Sequence, residues 1–470
     1  MIKYAARCFM ILIASALLAG CSGDGKVHVE EIRVGLHNNN ELKIQVDVKT
    51  DQPADAYVEY WEETGMTKGK FISAPSHNAQ KHQFVLCDVA PETGYAYHII
   101  TSSNGVKSIS KTYTFKTHAL PMFLQEQFKA DSTKSIKLPA EFSDGLMLIN
   151  KRFAPGVAYF VDKKGRIRWY HMVDGLGFKV IHFTKEHTIL GIMGGNDEPT
   201  SYGHEILEIN LRGDTILHLK KGQNDLKQSI HHEIIRNDKE QLVTIVVDQR
   251  IMDLSSIGGG KKDTVSGDGI LVMDNTGKKI WSWSVFDVID PLKDKALLKT
   301  RKDWMHANSL NFDKDGNYLL SFYNKGQIWK VDAKTGKVIW SLGKGGTLAK
   351  PSECDFTQAH AVHINQQGNL MFFDNGVEKH QSGVFALKLD EKNLNSQIDM
   401  HIKLPKEVFN GRMGSAYLIN DTSVLVCYSK RHVVVLTDRK GTLLWTMETA
   451  MPTYRAEFIR SRELDPYLKP

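Results

Sequence analysis

One strand–turn–strand unit recurs six times over the later two-thirds of the chain, apolar residues recur at a period of two, and segments with helical periodicity are almost absent. These observations predict an all-β protein: a six-bladed β-propeller over residues 140–470, preceded by a small fibronectin III-like or immunoglobulin-like β-sandwich over residues 27–118. With 470 residues, 41% hydrophobic and 24% charged, the chain can bury a large core in more than one domain.

Residues 1–20 read as an export signal. Lys3 and Arg7 supply a positive start, Phe9 to Ala19 an apolar stretch too short to span a bilayer comfortably, and Leu18-Ala19-Gly20-Cys21 a small-residue cleavage site that resembles a lipobox. On that reading Cys21 is lipidated, residues 21–26 form a tether, and the protein is held at a membrane in the periplasm or cell envelope. An ordinary cleaved signal peptide is the alternative, and it also implies export. No stretch after Cys21 is apolar enough to cross a membrane.

The sandwich is expected from short alternating runs, LKIQVDV, AYVEYWEE, HQFVLCDV, YAYHIITS and KTYTFKT, joined by turns such as Pro91-Glu92-Thr93-Gly94. The run from Val89 through Tyr95 to Thr117 resembles a fibronectin type III domain, a module that usually binds or spaces. Residues 119–139 read as a connector. An exposed sandwich edge would allow a homodimer.

From Ala140 the repeat takes over. Its legible half is a hairpin, seen in YFVDKKGRIRWY, EILEINLRGDTILHL, ILVMDNTGKKIWSW, IWKVDAKTGKVIWSL, VFALKLDEKNLNSQI and VVVLTDRKGTLLW, with Gly165, Gly213, Gly277, Gly336 and Gly441 at the turn in all but one copy. Another strand pair separates successive hairpins, giving four strands per unit at a period of about 50 to 60 residues, as in propeller blades.

The net charge of +6 is spread along the sequence, and its short Lys/Arg clusters lack interleaved aromatics, so no nucleic-acid partner is expected. Beyond Cys8 and Cys21, the cysteines Cys87, Cys354 and Cys427 are widely separated and odd in number. They give neither a disulfide framework nor a metal-ligand spacing.

Three histidines stand at the head of the first strand in three consecutive units: His232 in HHEII, His306 in HANSLNF and His360 in AHAVHIN. A lone histidine at a strand end is usually a hydrogen-bonded surface or core residue. Three at matching places have no packing rationale, and blades around one axis would bring them to one mouth of the channel. They could ligate a metal, but no carboxylate accompanies them at equivalent positions. The alternative is covalent chemistry, in which a neutral imidazole attacks sulfur or phosphorus while its neighbours protonate the leaving oxygen or hold developing charge.

Asp303-Trp304-Met305-His306-Ala307-Asn308-Ser309, then Gln358-Ala359-His360 and Phe373-Asp374-Asn375-Gly376, resemble the bacterial arylsulfate sulfotransferases. His231-His232-Glu233 resembles their HHD segment, and Gly414-Ser415-Ala416 with Tyr454-Arg455-Ala456 fits their last blade. The resemblance runs from about residue 30 to the end. It implies transfer of a sulfuryl group from an aryl sulfate donor to a phenolic acceptor, without the nucleotide donor PAPS and with no cofactor or metal. Residue by residue, it implies that His360 becomes transiently sulfated and that His306 and His232 support it. Tyr323, Asn308, Ser309, His231 and Asn375 fall where substrate would be bound.

One departure stands out. The family has an arginine shortly after the DWxHxNS strand, and here Tyr323 holds its place, so sulfate binding should weaken unless Lys325 compensates. Cys354 also stands alone, with no local partner to brace the loop before His360. Two other readings stay open: a divergent, weakly active or non-catalytic binding propeller, and a quinoprotein-like propeller suggested by KVDAKTGKVIWSL, whose Trp equally suits packing between blades.

Overall fold

The computed structural model describes residues 26–64, 69–131, 138–199, 201–464 and 468. The expected signal and the lipidation site at Cys21 lie outside the described residues. The chain forms two compact units: one runs to Gln125 and takes in Arg168–Tyr170 and the last residues, and the other holds the rest.

The first unit is organised by one long strand, Asn40–Glu62. Its residues 44–49 pair with Val29–His37 on one side and Ser76–Leu86 on the other, whereas residues 55–62 pair with Gly94–Ser103 and Phe71–Ile72. The register breaks between Lys49 and Ala54, around Pro53, which has no N–H to give a ladder. One strand thus serves both halves of the unit. Most of its even-numbered residues, among them Ile44, Val46, Val48, Val58 and Tyr60, are buried, as a period of two requires. Tyr95, at the end of the Pro91-Glu92-Thr93-Gly94 turn, accepts a 2.8 Å hydrogen bond from the Ala90 N–H and stacks on Phe115. This backward tie from a corner tyrosine is a feature of immunoglobulin-like sandwiches.

The second unit is a six-bladed propeller of four- and five-stranded sheets. The innermost strands of blades 2 to 6 are Gly177–Phe183, Ile230–Arg236, Ala307–Phe312, Ala359–Ile364 and Ser415–Asn420, each touching the next around the ring. Blade 1 takes its innermost strand, Ala456–Arg460, from the far end of the sequence, where it pairs antiparallel with Gly145–Lys151. Tyr454-Arg455-Ala456 therefore completes the first blade, not the last. Phe128–Ala130, inside the expected connector, pairs with Leu443–Thr449 and adds an outer strand to blade 6.

The six hairpins have a common local cause. Asp162, Asn210, Asp274, Asp332 and Asp438 each turn a side-chain oxygen back to accept a backbone N–H within the turn, and the following Gly165, Gly213, Gly277, Gly336 and Gly441 all have positive φ. In the copy without glycine, Leu394 takes the left-handed conformation and Asp390 caps the turn. The tryptophans bind blade to blade. The Trp283 indole of blade 3 donates to the Gly336 carbonyl in the turn of blade 4 at 2.8 Å, and Trp445 of blade 6 donates to Lys163 of blade 1 at 2.9 Å. At Gly336 φ is 71°, and a Cβ would sit 2.8 Å from the Trp283 ring, so only glycine allows this approach.

Trp283→Phe keeps most of the buried ring but leaves the buried Gly336 carbonyl without its donor. Urea denaturation should show a loss of about 1–3 kcal/mol, with any catalytic activity unchanged at permissive temperature.

Candidate active site

Three neighbouring innermost strands begin with the same local irregularity. The register slips between His231 and Ile234 in blade 3, between Ala307 and Ser309 in blade 4, and between His360 and His363 in blade 5. Beside each slip one residue is left-handed: His232 at φ 60°, His306 at φ 56° and Ala361 at φ 51°. Bulges of this kind turn a side chain out of the ladder. Here they turn three histidines into one cavity of about 530 Å³, whose wall His232, His306, His360 and Tyr323 share. The rings form a chain, with centroids 5.0 Å apart for His232 and His306, 5.5 Å for His306 and Tyr323, and 6.1 Å for Tyr323 and His360.

The other sequence-selected residues lie behind that wall. Asn308 donates from Nδ2 to His360 Nε2 at 3.0 Å, while its Oδ1 accepts from Ser321 and its backbone carbonyl accepts from the Tyr454 hydroxyl at 3.2 Å. Ser309 Oγ accepts the Val362 N–H at 2.8 Å, tying blade 4 to blade 5 beside the nucleophile candidate. His231 shares a 2.8 Å Nδ1 to Nδ1 hydrogen bond with His232 and stacks on Tyr202 at 4.8 Å. Asn375 donates to the carbonyls of Asn410 and Met413 at 2.6 and 2.8 Å, so it fixes a loop of blade 6. Lys325, the proposed compensating cation, is paired with Asp294 at 2.5 Å and does not line the cavity.

The histidines differ in charge for identifiable reasons. Burial, then the charge of His306, then that of Arg455, holds His360 well below the usual histidine range. His360 is 3% exposed, and its Nδ1 has no hydrogen-bond partner among the described residues. His232 is likewise depressed by burial and by its neighbours, including His231 and His306. Burial also works to lower His306, but Asp303, which accepts from His306 Nδ1 at 2.6 Å, outweighs it and raises the ring above the ordinary value. The site therefore holds two neutral imidazoles beside one that favours its proton.

Beneath the histidines runs a charged brace. Glu233, next to His232 and 1% exposed, accepts from Arg455 Nη1 at 2.5 Å and is bonded to His182 Nε2, while the other His182 nitrogen meets Glu457. These four groups come from blades 1, 2 and 3. Burial opposes charge on His182, but Glu457 and Glu233 overcome it and raise its pKa to about 10. Glu233, Arg455 and Asp303 lie inside the motifs that carry the resemblance, which gives none of them a role. An acidic residue three before a histidine was the available signal. Arg412 and Lys430 also line the cavity, yet they sit in loops outside the repeat and had no sequence signal.

The profile of the arylsulfotransferase (ASST) family matches residues 132–400, more than half of the chain. The chain belongs to this family. Membership makes it a sulfotransferase in the general sense, and the matched arylsulfotransferase span contains His232, His306 and His360 but stops short of Arg412 and Arg455. No curated protein matches the sequence. Among solved structures, a protein of unknown function from Bacteroides caccae is 12% identical over 68% of this chain and all of its own, at a TM-score of 0.43. A virginiamycin B lyase from Staphylococcus aureus is 9% identical over 68% of this chain and 99% of its own, at 0.32.

The His182 brace carries a pH signature. Because its pKa is raised to about 10, the stability it contributes is complete below the ordinary histidine value of about 6.5 and disappears as pH rises through the raised value. Thermal denaturation between those limits should show a falling Tm, and the fall should be shallower in His182→Gln. Parallel curves for the two proteins would remove the assignment.

Proposed function

We propose that the protein is a PAPS-independent arylsulfate sulfotransferase that moves a sulfuryl group from an aryl sulfate to a phenol through a sulfohistidine at His360. The observation that carries this reading is the convergence of three histidines in different charge states on one cavity. His360 Nε2 accepts from Asn308, so in the neutral ring it is the nitrogen with the lone pair. In the first half-reaction the Nε2 lone pair leaves the Asn308 amide and forms a bond to sulfur as the bond from sulfur to the aryl oxygen breaks, and protonated His306 gives its proton to the departing oxygen. In the second, the acceptor hydroxyl returns a proton to His306, its oxygen bonds to sulfur and the N–S bond breaks. Neutral His232 lies against His306 and donates to or accepts from the moving oxygens. The reading extends to place: we put the chain in the cell envelope, tethered through Cys21.

His360→Ala should abolish transfer from 4-nitrophenyl sulfate to phenol in a protein that still folds, with stability lowered by about 1–3 kcal/mol because the buried Asn308 amide loses its acceptor. A donor-only pulse followed by peptide mass spectrometry should place the sulfuryl label on the peptide containing His360. A label on another residue reassigns the nucleophile, and no turnover with any aryl sulfate favours the binding-propeller reading.

The pH profile follows from the two kinds of histidine. His360 stays neutral well into the acid range, so activity should hold on the acid side. It should fall on the alkaline side as His306 loses its proton, above the ordinary histidine value of about 6.5. Asp303→Asn removes the carboxylate that raises His306, so the alkaline limb should move to lower pH. A limb that stays in place takes the acid role away from His306.

A further inference from the structure

Accepting the sulfotransfer reading, the site must hold an anion, yet Tyr323 stands where the family pattern has its arginine. The fixed cations lining the cavity are Lys302, Arg412 and Lys430, and the carboxylate on the wall, Asp303, is engaged by His306. Among the described residues none of the three cations makes a side-chain ion pair or hydrogen bond. We infer that Arg412, carried on a clamped loop of blade 6, is the residue that holds the sulfate group of the donor, and that Tyr323 is a positioning residue that sets this loop.

The loop, residues 410–413, is built to be still. Asn410 is fully buried, and its Nδ2 donates to the carbonyls of Arg412 and Met413, both at 2.9 Å, while its Oδ1 accepts the Lys430 N–H at 2.7 Å. Ser382 Oγ accepts the Asn410 N–H at 3.0 Å, and Asn375 holds the carbonyls of Asn410 and Met413 from the other side. Between these clamps the Tyr323 hydroxyl donates to the Gly411 carbonyl at 3.2 Å. The backbone on either side of Arg412 is therefore fixed from blades 4, 5 and 6, while its side chain is exposed to the cavity.

Position and chemistry single out Arg412 among the three. Its charge acts on both His306 and Tyr323, against the proton affinity of each, which sets it beside the proton donor and beside the ring that lies between His306 and His360. A guanidinium on a preorganised backbone offers a planar pair of N–H donors to sulfate oxygens, whereas the two lysines are point charges on flexible stems. Tyr323 thus explains how the site works without an arginine at that position. The charge comes from the loop leading into blade 6, two blades on, and the phenol holds its carrier.

The test uses the full chain and four variants, Arg412→Gln, Arg412→Lys, Tyr323→Phe and the Arg412→Gln/Tyr323→Phe double. Kinetics with 4-nitrophenyl sulfate and phenol are run beside calorimetric titration with inorganic sulfate. Arg412→Gln should lose about tenfold to a hundredfold in kcat/KM, Arg412→Lys should recover part of it, and sulfate binding should fall in parallel. Tyr323→Phe should lower kcat/KM in the wild-type background and do nothing further in the Arg412→Gln background, because it acts through that residue. An Arg412→Gln enzyme within twofold of wild type overturns the proposal, and an equal Tyr323→Phe loss in both backgrounds overturns the positioning role. If the wild type transfers no sulfuryl group, the sulfotransfer reading fails by itself and titration decides: sulfate binding lost in Arg412→Gln upholds the anion site, while equal binding or none overturns it.

Discussion

The pairing of Ala456–Arg460 with Gly145–Lys151 does more than close a ring of sheets. The residues leading into that strand and along it reach three other blades: Tyr454 donates to the Asn308 carbonyl in blade 4, Arg455 to Glu233 in blade 3, and Glu457 meets His182 in blade 2. Asn308 bonds to His360, Glu233 adjoins His232, and His182 bonds to Glu233. A propeller blade by itself leaves its inner edge open. The closing strand supplies that edge for blade 1 and, through the same few residues, sets the geometry of the chemistry.

Electrostatics in the channel works by separation. A carboxylate in direct contact with every histidine would favour a proton on each. Here Glu233 is answered by Arg455 and His182, so it leaves its neighbour His232 neutral. Asp303 hydrogen-bonds His306. Burial does the rest, because an imidazole that has lost its hydration and has no anionic partner gives up its charge. Three chemically identical side chains become unlike through which acid each one meets.

Local patterning made much of this legible in the sequence. The hairpins declared themselves because an Asx residue and a left-handed glycine are both short-range requirements, and the histidine triplet stood out because the repeat supplied a frame against which its position could be compared. The convergence of His232, His306 and His360 followed from that frame. What remained hidden was held by contacts between blades. Arg412 lies in a loop whose shape is set by Asn410, Asn375 and Tyr323 together, and no period in the sequence joins them. Phe128–Ala130 read as linker because three residues are too few to show alternation. Tyr323 read as a loss because the sequence shows which side chain is present and not where its hydroxyl points.

The left-handed backbone at His232 and His306 has a wider meaning. An L-residue held there costs roughly 1 kcal/mol or more relative to its relaxed conformation, and the slipped registers beside it forgo ladder hydrogen bonds. The inner strands of blades 2 and 6 also slip, between Phe178 and Val180 and between Leu418 and Asn420, but their slips carry no left-handed histidine. If these blades carry the chemistry as proposed, they meet opposing demands: regular strands would make the scaffold firmer and turn the rings away from one another. On that reading the backbone conformation at His232 and His306, and not the imidazoles alone, marks a working site.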